Sequence, residues 1–282
     1  MDKKTVLELE DAVKTLKVWM NQSAAMVTPE IRDAALELFQ LGKCDLAVSK
    51  LAFDGGHYPQ ALSLLQQSVE KLGKSGFLVT GQEKPEKLAT HYFYEPVSKK
   101  ILDTNATAFD YFTEVSKIDL PFSSDFSEIR RNEVKLREMS KEKINEFFNS
   151  FDEGVAQVMD DGFIATELNR QFGFYEGKID VHHLNVARKS AKEQTPRVRN
   201  MLLSVLNWAK LTSLVVLLTS HYQSSRYPYD NKGASYSDDY HIKYVQNLGV
   251  IQAYPLVYIQ IQNLFTFFGD SYGLELKQVT DD

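Results

Sequence analysis

Tyrosine side chains are concentrated in one tract, residues 221–241 (HYQSSRYPYDNKGASYSDDYH), which also contains two histidines and one arginine. Eight of the 14 tyrosines lie between Tyr222 and Tyr258. Tyrosine rings stack on nucleic-acid bases and arginine guanidinium groups bind phosphate, so this tract predicts a site for RNA or a nucleotide. The candidate binding residues are Arg226, Tyr227, Tyr229, His221 and His241, together with Arg199 from the segment before the tract.

A structural interpretation of the same tract stays open, in which Tyr222, Tyr240 and Tyr244 pack in a helical core while the residues between them turn the chain. The role of His91 also stays open, since it could be a helix cap, a core residue or a site residue. The adjacent histidines at 182–183 face different ways on a helix, so we predict no metal site and no cofactor.

The common catalytic motifs are absent from the sequence. There is no Gly-x-x-x-x-Gly-Lys-Ser/Thr phosphate loop, no Gly-x-Gly-x-x-Gly, no Gly-x-Ser-x-Gly and no His-Glu-x-x-His. The single cysteine, Cys44, excludes an intramolecular disulfide and any multi-cysteine metal site. We expect Cys44 to be a small buried apolar side chain. The enzyme classes that are most easily read from a sequence therefore have no support.

The chain of 282 residues has an ordinary globular composition and a slight acidic excess. Hydrophobic residues make up 43% and charged residues 25%, which excludes wholesale disorder. The net charge of -6 argues against sequence-independent nucleic-acid binding over a broad surface, because such binding depends on positive charge. RNA binding would therefore need a local basic patch. The length fits one large domain or two small ones.

The helices that must position these residues are visible as apolar stripes with a period near 3.6 residues. A Thr-Pro pair at 28–29 starts one helix, and Asp-Gly-Gly at 54–56 ends it. The next helix starts near Tyr58 and forms a helical hairpin with the first. A stripe at spacings of three and four also predicts a helix over residues 4–20, formed by Val6, Leu9, Val13, Leu16 and Met20.

The remainder of the chain is also predicted to be helical, and strand signals are sparse, so the fold class is all-α. The further predicted elements are a short helix over 95–102, a loop over 103–127, a long helix from Ser127 to about Met159, a connection over 160–183, a helix opened by Thr195 and Pro196, a loop over 228–239 and a last helix over about 240–268.

Two apolar stretches, residues 201–219 and 248–268, are interpreted as core helices. Polar residues such as Lys210 and Gln260 interrupt them, and such interruptions are costly in hydrocarbon. The N-terminal residues lack the apolar run of a signal peptide. We therefore predict a cytoplasmic protein without membrane association.

Two blocks of the sequence resemble HEPN domains. Within residues 34–102, the segment HYPQALSLLQQSVEKLGKSGFLVTGQ, with its Tyr-Pro turn, is similar to the second helix of these domains. The second block is Ser-Ser-Arg-Tyr-Pro at 224–228, which is similar to a segment that follows a core helix in the family. The resemblance implies an up-and-down helical bundle that forms a homodimer, with residues 103–195 as an insertion.

The resemblance also implies a function. Many HEPN proteins are metal-independent ribonucleases of toxin–antitoxin and antiviral defence systems, and others bind nucleotides or protein partners. The ribonucleases carry an arginine followed by a histidine after four to six residues. Here Ser204 stands where that histidine would follow Arg199, and Leu136 stands where it would follow Arg131. Neither serine nor leucine can replace a histidine in acid–base chemistry. We therefore expect a non-catalytic binding or regulatory protein that recognises RNA, a nucleotide or a protein partner.

Three alternatives stay open. The chain could be a HEPN ribonuclease with a rearranged site that uses Arg226 with His221 or His241, or a structural interaction protein whose dimer surface is the stripe over residues 6–20. A tetratricopeptide helix pair also resembles part of the hairpin, but no second copy follows at the 34-residue period. The predicted organisation is an N-terminal helix within residues 1–27 and one HEPN-like bundle over 28–282.

Overall fold

The computed structural model describes residues 27–81, 88, 138–160, 162–166, 170, 180–219, 221 and 238–275. Their helices are α1 (Pro29–Asp54), α2 (Tyr58–Val79), α3 (Lys141–Met159), α4 (Val181–Thr219), α5 (Asp238–Gln246), α6 (Gly249–Gln252) and α7 (Tyr254–Tyr272). No strand occurs in this part of the chain, which confirms the all-α prediction for it. The predicted helices over 4–20 and 95–102 lie outside the described residues.

The helical hairpin of α1 and α2 forms as predicted because its boundaries are set by local residues. The Thr28 hydroxyl accepts a hydrogen bond from the Ile31 amide at 3.4 Å, which caps the start of α1. Gly56 has a φ of 78°, a conformation that glycine adopts without strain, and it turns the chain toward α2. Pro59 lies in the first turn of α2, where its missing amide proton costs no helical hydrogen bond.

Two serines hold α1 and α2 in contact at opposite ends of the hairpin. The Ser49 hydroxyl of α1 donates to the Ala61 carbonyl of α2 at 2.9 Å. The Ser75 hydroxyl of α2 donates to the Ala35 carbonyl of α1 at 2.7 Å. Because serine is small, both bonds form where the two backbones approach closely. The face of α1 that packs on α2 carries Ala35, Phe39, Gly42, Leu46 and Ser49.

The core is built around α2 and the second half of α4. Every residue of α4 from Val205 to Leu218 is buried. Trp208 packs against Phe77 of α2 and Phe268 of α7, with ring centroids 5.3 and 4.9 Å away. A Cβ atom at Gly76 would lie 2.6 Å from the Phe268 ring and 2.7 Å from the Trp208 indole, so only glycine fits at this contact.

The apolar run Leu202–Thr219 is long enough and apolar enough to cross a membrane, by length and composition alone. Of this run, 83% is buried within the protein. Its side chains therefore meet other helices, as expected of a core helix.

Three sequence-based helix boundaries are wrong. The helix predicted over Ser127 to Met159 begins, within the described residues, only at Lys141, because Ser140 is extended and its hydroxyl accepts a hydrogen bond from the Lys143 amide. α4 begins at Val181, and Pro196 lies inside it rather than at its start. The single last helix is divided into α5, α6 and α7, because Pro255 occupies the first turn of a separate helix.

Candidate functional site

His221, a candidate RNA-binding residue, lies just beyond the end of α4. Its backbone amide donates to the Leu218 carbonyl at 3.1 Å, and the residue is only 2% exposed. This burial favours a role in packing, since a nucleic acid at the surface could not reach the ring without a rearrangement.

Arg199, the other candidate on this helix, is half-buried and lies in the middle of α4. The helix runs without a break from Arg199 to Thr219. At 1.5 Å per residue, Arg199 and His221 are about 30 Å apart along the axis. The structure therefore does not bring these two side chains to one site.

The side chains of the remaining candidate RNA-binding residues are not among those that the structure describes. Arg226, Tyr227 and Tyr229 lie outside the described residues, as does His91. His241 falls within α5, but its side chain is not among the described ones. The predicted recognition tract thus stays a prediction.

Two other residues singled out from the sequence have clear positions. His182 is exposed in the first turn of α4, and in the described ranges no three histidine, cysteine, aspartate or glutamate side chains are grouped to hold a metal ion. The prediction that Cys44 is buried is wrong, because the thiol is exposed. Position 44 lies about 200° around α1 from the core-facing positions 42 and 46.

A charged cluster that the sequence did not predict joins α3, α4 and α7. The Lys210 ammonium donates to Asp152 Oδ1 at 2.9 Å and to Gln260 Oε1 at 2.7 Å. The Gln260 amide nitrogen donates in turn to Asp152 Oδ2 at 2.7 Å. These three bonds form a closed triangle that uses both carboxylate oxygens of Asp152.

The two charged residues of this triangle differ in how deeply they are buried, and this difference affects the pKa of Lys210. The Lys210 side chain is 3% exposed, whereas that of Asp152 is 46% exposed. Desolvation lowers the pKa of the Lys210 ammonium below its usual 10.5, and the hydrogen bond and charge of Asp152 oppose this effect. Water therefore reaches the triangle at the Asp152 carboxylate. Because its polar groups bond to one another, the triangle fixes three helices in register.

The sequence carries a partial signal for this cluster. Lys210 and Gln260 stand out in it only as polar interruptions of two apolar helices. Each is costly to bury alone, so two such interruptions in two core helices are expected to pair. The partner Asp152 lies 58 residues from Lys210 and 108 from Gln260, and no local pattern connects them.

A second polar contact links the hairpin to α7. The Tyr254 hydroxyl lies 2.9 Å from the Ser49 hydroxyl, which itself donates to Ala61. Burial raises the pKa of the Tyr254 phenol to about 12, partly opposed by the hydrogen bond with Ser49. Tyr254 is therefore neutral and donates this bond at physiological pH.

An unusual surface runs along α1 on the side away from the core. We call Leu41, Cys44, Val48 and Leu51 the outer face of α1. Leu41 is 45% exposed, Val48 49% and Leu51 71%. Toward the start of the helix the same side becomes acidic, with exposed Glu30, Asp33 and Glu37.

Comparison with protein-family models, with curated proteins and with solved structures finds no match for this chain. The resemblance to HEPN domains therefore rests on the sequence motifs described above.

Proposed function

We propose that this chain is a HEPN-like binding or regulatory protein of a prokaryotic stress or phage-defence system, and that it does not cleave RNA. The observation that supports this proposal is the residue at the histidine position of the motif, because Ser204 comes five positions after Arg199 on the same helix, α4. A HEPN ribonuclease needs arginine and histidine at the same phosphate, for charge stabilisation and for acid–base chemistry. Serine cannot supply the acid–base chemistry, and His221 does not replace the histidine for Arg199, because it is buried and lies about 30 Å farther along the helix axis.

The proposed ligand is RNA or a nucleotide, bound by Arg226, Tyr227 and Tyr229 in the cytoplasm. Tyrosine supplies stacking surfaces and arginine supplies phosphate contacts. The net charge of -6 means that binding is local to this tract rather than spread over the protein surface.

Fluorescence anisotropy with a labelled single-stranded RNA, and with labelled nucleotides as competitors, tests this proposal. Arg226→Ala is expected to weaken binding by about tenfold, because it removes a charge-assisted hydrogen bond to phosphate. Arg32→Ala is the matched control, because Arg32 lies on α1 and donates to the Gly273 carbonyl. Binding that is equally strong in both variants would exclude the tract as the site.

The same samples distinguish the other functions. RNA cleavage in the presence of a metal chelator, lost in Arg226→Ala, would establish the rearranged ribonuclease. An absence of RNA and nucleotide binding would favour a structural interaction protein with a protein partner.

A further inference from the structure

Gln66 of α2 is a buried polar side chain whose oxygen accepts no hydrogen bond from the described part of the chain. The side chain is 8% exposed, and its Oε1 atom is buried. A buried acceptor without a partner lowers stability, and native proteins pair the large majority of such groups. By contrast, the buried Gln260 uses both ends of its carboxamide in the triangle with Lys210 and Asp152. The Gln66 carboxamide therefore has hydrogen-bonding capacity that is available to a ligand.

Ser68 of α2 also has an unpaired side-chain oxygen, but it lies at a contact between helices. Position 68 is about 200° around α2 from position 66. A Cβ atom at Gly42 of α1 would lie 3.2 Å from the Ser68 carbonyl, and Ser68 is fully buried. The close approach of α1 excludes a ligand there. Gln66 keeps some exposed surface, and rotation about its soft χ3 torsion turns either polar atom toward it.

The direction of α4 relative to α2 follows from the contacts that both helices make with α7. Tyr254 at the start of α7 meets Ser49, which bonds to Ala61 of α2. Phe268 near the end of α7 meets Gly76, farther along α2. Because positions 254 and 268 follow the same order as positions 61 and 76, α7 runs parallel to α2.

α4 runs in the opposite direction to α7. Tyr272 at the end of α7 hydrogen-bonds with Ser204 and Trp208 of α4. Lys210, farther along α4, bonds to Gln260, which lies earlier in α7. α4 is therefore antiparallel to both α7 and α2.

This antiparallel arrangement places Gln66 beside the end of α4. Phe77 of α2 packs against Trp208 of α4. Gln66 lies 11 residues before Phe77, and Thr219 lies 11 residues after Trp208. At 1.5 Å per residue, both lie about 16 Å from this contact in the same direction. Gln66 is therefore about level with the last residue of α4.

We propose that Gln66 hydrogen-bonds the base of the ligand that the tract over residues 221–241 binds, and that this base is adenine. This inference rests on the proposed function. The tract begins directly after Thr219, which is level with Gln66, and it continues into α5, which packs on α2. Both ends of the tract are thus anchored at helices that contact α2.

The chemistry of the carboxamide selects the base. Glutamine presents an acceptor and a donor side by side, Oε1 and Nε2. Adenine presents a matching amine donor and ring-nitrogen acceptor, through N6 with N7 or with N1, and glutamine pairs with adenine in this bidentate way. Guanine presents two acceptors, N7 and O6, on its major-groove edge, which would leave Gln66 Oε1 facing an acceptor.

Isothermal titration calorimetry with AMP and with purine riboside 5′-monophosphate, which lacks the 6-amino group, tests this proposal. The unsubstituted chain is expected to bind AMP about tenfold more tightly than the analogue, because only AMP donates to Gln66. Gln66→Met keeps the side-chain length but removes both polar atoms, so it should weaken AMP binding about tenfold and abolish the preference. The same two bases in a short single-stranded RNA distinguish RNA from a free nucleotide as the source of the adenine.

Gln67→Met is the matched control, because Gln67 is the adjacent glutamine and its amide nitrogen donates to the Ser63 hydroxyl at 3.3 Å. It should leave the preference for adenine unchanged. No preference in the unsubstituted chain, or the same preference in Gln66→Met, would overturn the proposal. If Arg226→Ala weakens binding but Gln66→Met does not, the inference about Gln66 fails while the proposed function stands. If the unsubstituted chain binds neither RNA nor nucleotide, both fail.

Thermal unfolding of the protein without ligand gives a second measurement. Gln66→Met should raise Tm by about 2–4 °C, because an unpaired acceptor is removed from the interior. Gln67→Met should not raise it, since it loses the bond to Ser63. A lower Tm in Gln66→Met would show that Gln66 is paired in the free protein and would overturn the proposal.

Discussion

At the scale of single residues, Lys210 carries a positive charge into the core of the protein. Its side chain is 3% exposed, and its ammonium group donates hydrogen bonds to Asp152 and Gln260. Lys210 and Asp152 differ in exposure, since about half of the Asp152 side chain is exposed to solvent. Removal of one partner should therefore have a different effect from removal of the other.

Asp152→Ala is expected to lower the free energy of unfolding by about 2–3 kcal/mol, because it leaves an ammonium buried beside Gln260 alone. Lys210→Met should cost about 1 kcal/mol, since the remaining carboxylate can be hydrated and methionine fills the space. Combined with Asp152→Ala, Lys210→Met should recover only part of the loss, because it removes the unpaired ammonium but leaves the buried Gln260 amide without its two partners in the triangle. Urea unfolding followed by circular dichroism measures all three variants.

Asp54→Ala is the control, because the Lys50–Asp54 pair is exposed on α1 and contributes about 0.5 kcal/mol or less. Equal destabilisation by Asp152→Ala and Asp54→Ala would contradict the buried-charge interpretation.

Because the pKa of Lys210 is lowered in the folded protein, the free energy of unfolding is also expected to depend on pH. Below the pKa of the folded protein, both folded and unfolded chains carry the proton, and the cost of the buried charge is fully present. Between that pKa and the unfolded value near 10.5, only the unfolded chain keeps the proton, so the free energy of unfolding rises with pH. Unfolding measured from pH 7 to 10.5 should show this rise relative to Lys210→Met, and parallel curves would contradict it.

At the scale of helices, the contact between α2, α4 and α7 depends on the missing side chain at Gly76. A methyl group there would meet Phe268 and Trp208 at less than 3 Å, and both are parts of rigid rings. Gly76→Ala should therefore lower the free energy of unfolding by about 1–3 kcal/mol, although alanine favours helix formation. Gly162→Ala is the comparison, because its nearest neighbour is the flexible Asp160 side chain. A Gly76→Ala protein as stable as Gly162→Ala would show that the rings can move apart.

Helix ends were predictable where the signal is local and complete. Thr28 and Pro29 start α1 because a hydroxyl acceptor and a preset φ act within one turn. The same kind of signal at Thr195 and Pro196 was misleading, because α4 continues through the proline. Pro196 itself is exposed, and most of the buried residues of α4 lie beyond it, from Leu202 onward, so the local start signal did not show where the helix begins. The start at Ser140 was missed because a strongly charged, helix-favouring run precedes it.

The packing of the side chains was less predictable than the helices. An apolar stripe shows which side of α1 faces the core, yet Cys44 was assigned to that side from its residue type alone. The Lys210, Asp152 and Gln260 triangle depends on three helices that are far apart in the sequence. Such a cluster is determined by the tertiary fold, so a motif search does not find it.

At the scale of the whole molecule, the HEPN resemblance predicts a homodimer. Light scattering across a range of concentrations should give a mass twice the 32.2 kDa of one chain. Leu51→Asp provides the comparison, because position 51 is the most exposed part of the outer face of α1. Loss of the dimer in Leu51→Asp would place the dimer interface on the outer face of α1, whereas a dimer that persists would place it elsewhere. A monomer at every concentration would contradict the prediction of a homodimer.

The burial of Leu202–Thr219 also has a consequence during synthesis. This apolar segment leaves the ribosome before α7, which follows about 50 residues later and covers part of it. At roughly 5–20 residues per second, the nascent segment waits on the order of 3–10 s for that partner. During this interval it has the length and composition of a membrane-insertion signal. The hairpin of α1 and α2, already synthesised, is the surface that can shelter it from the insertion machinery and from aggregation.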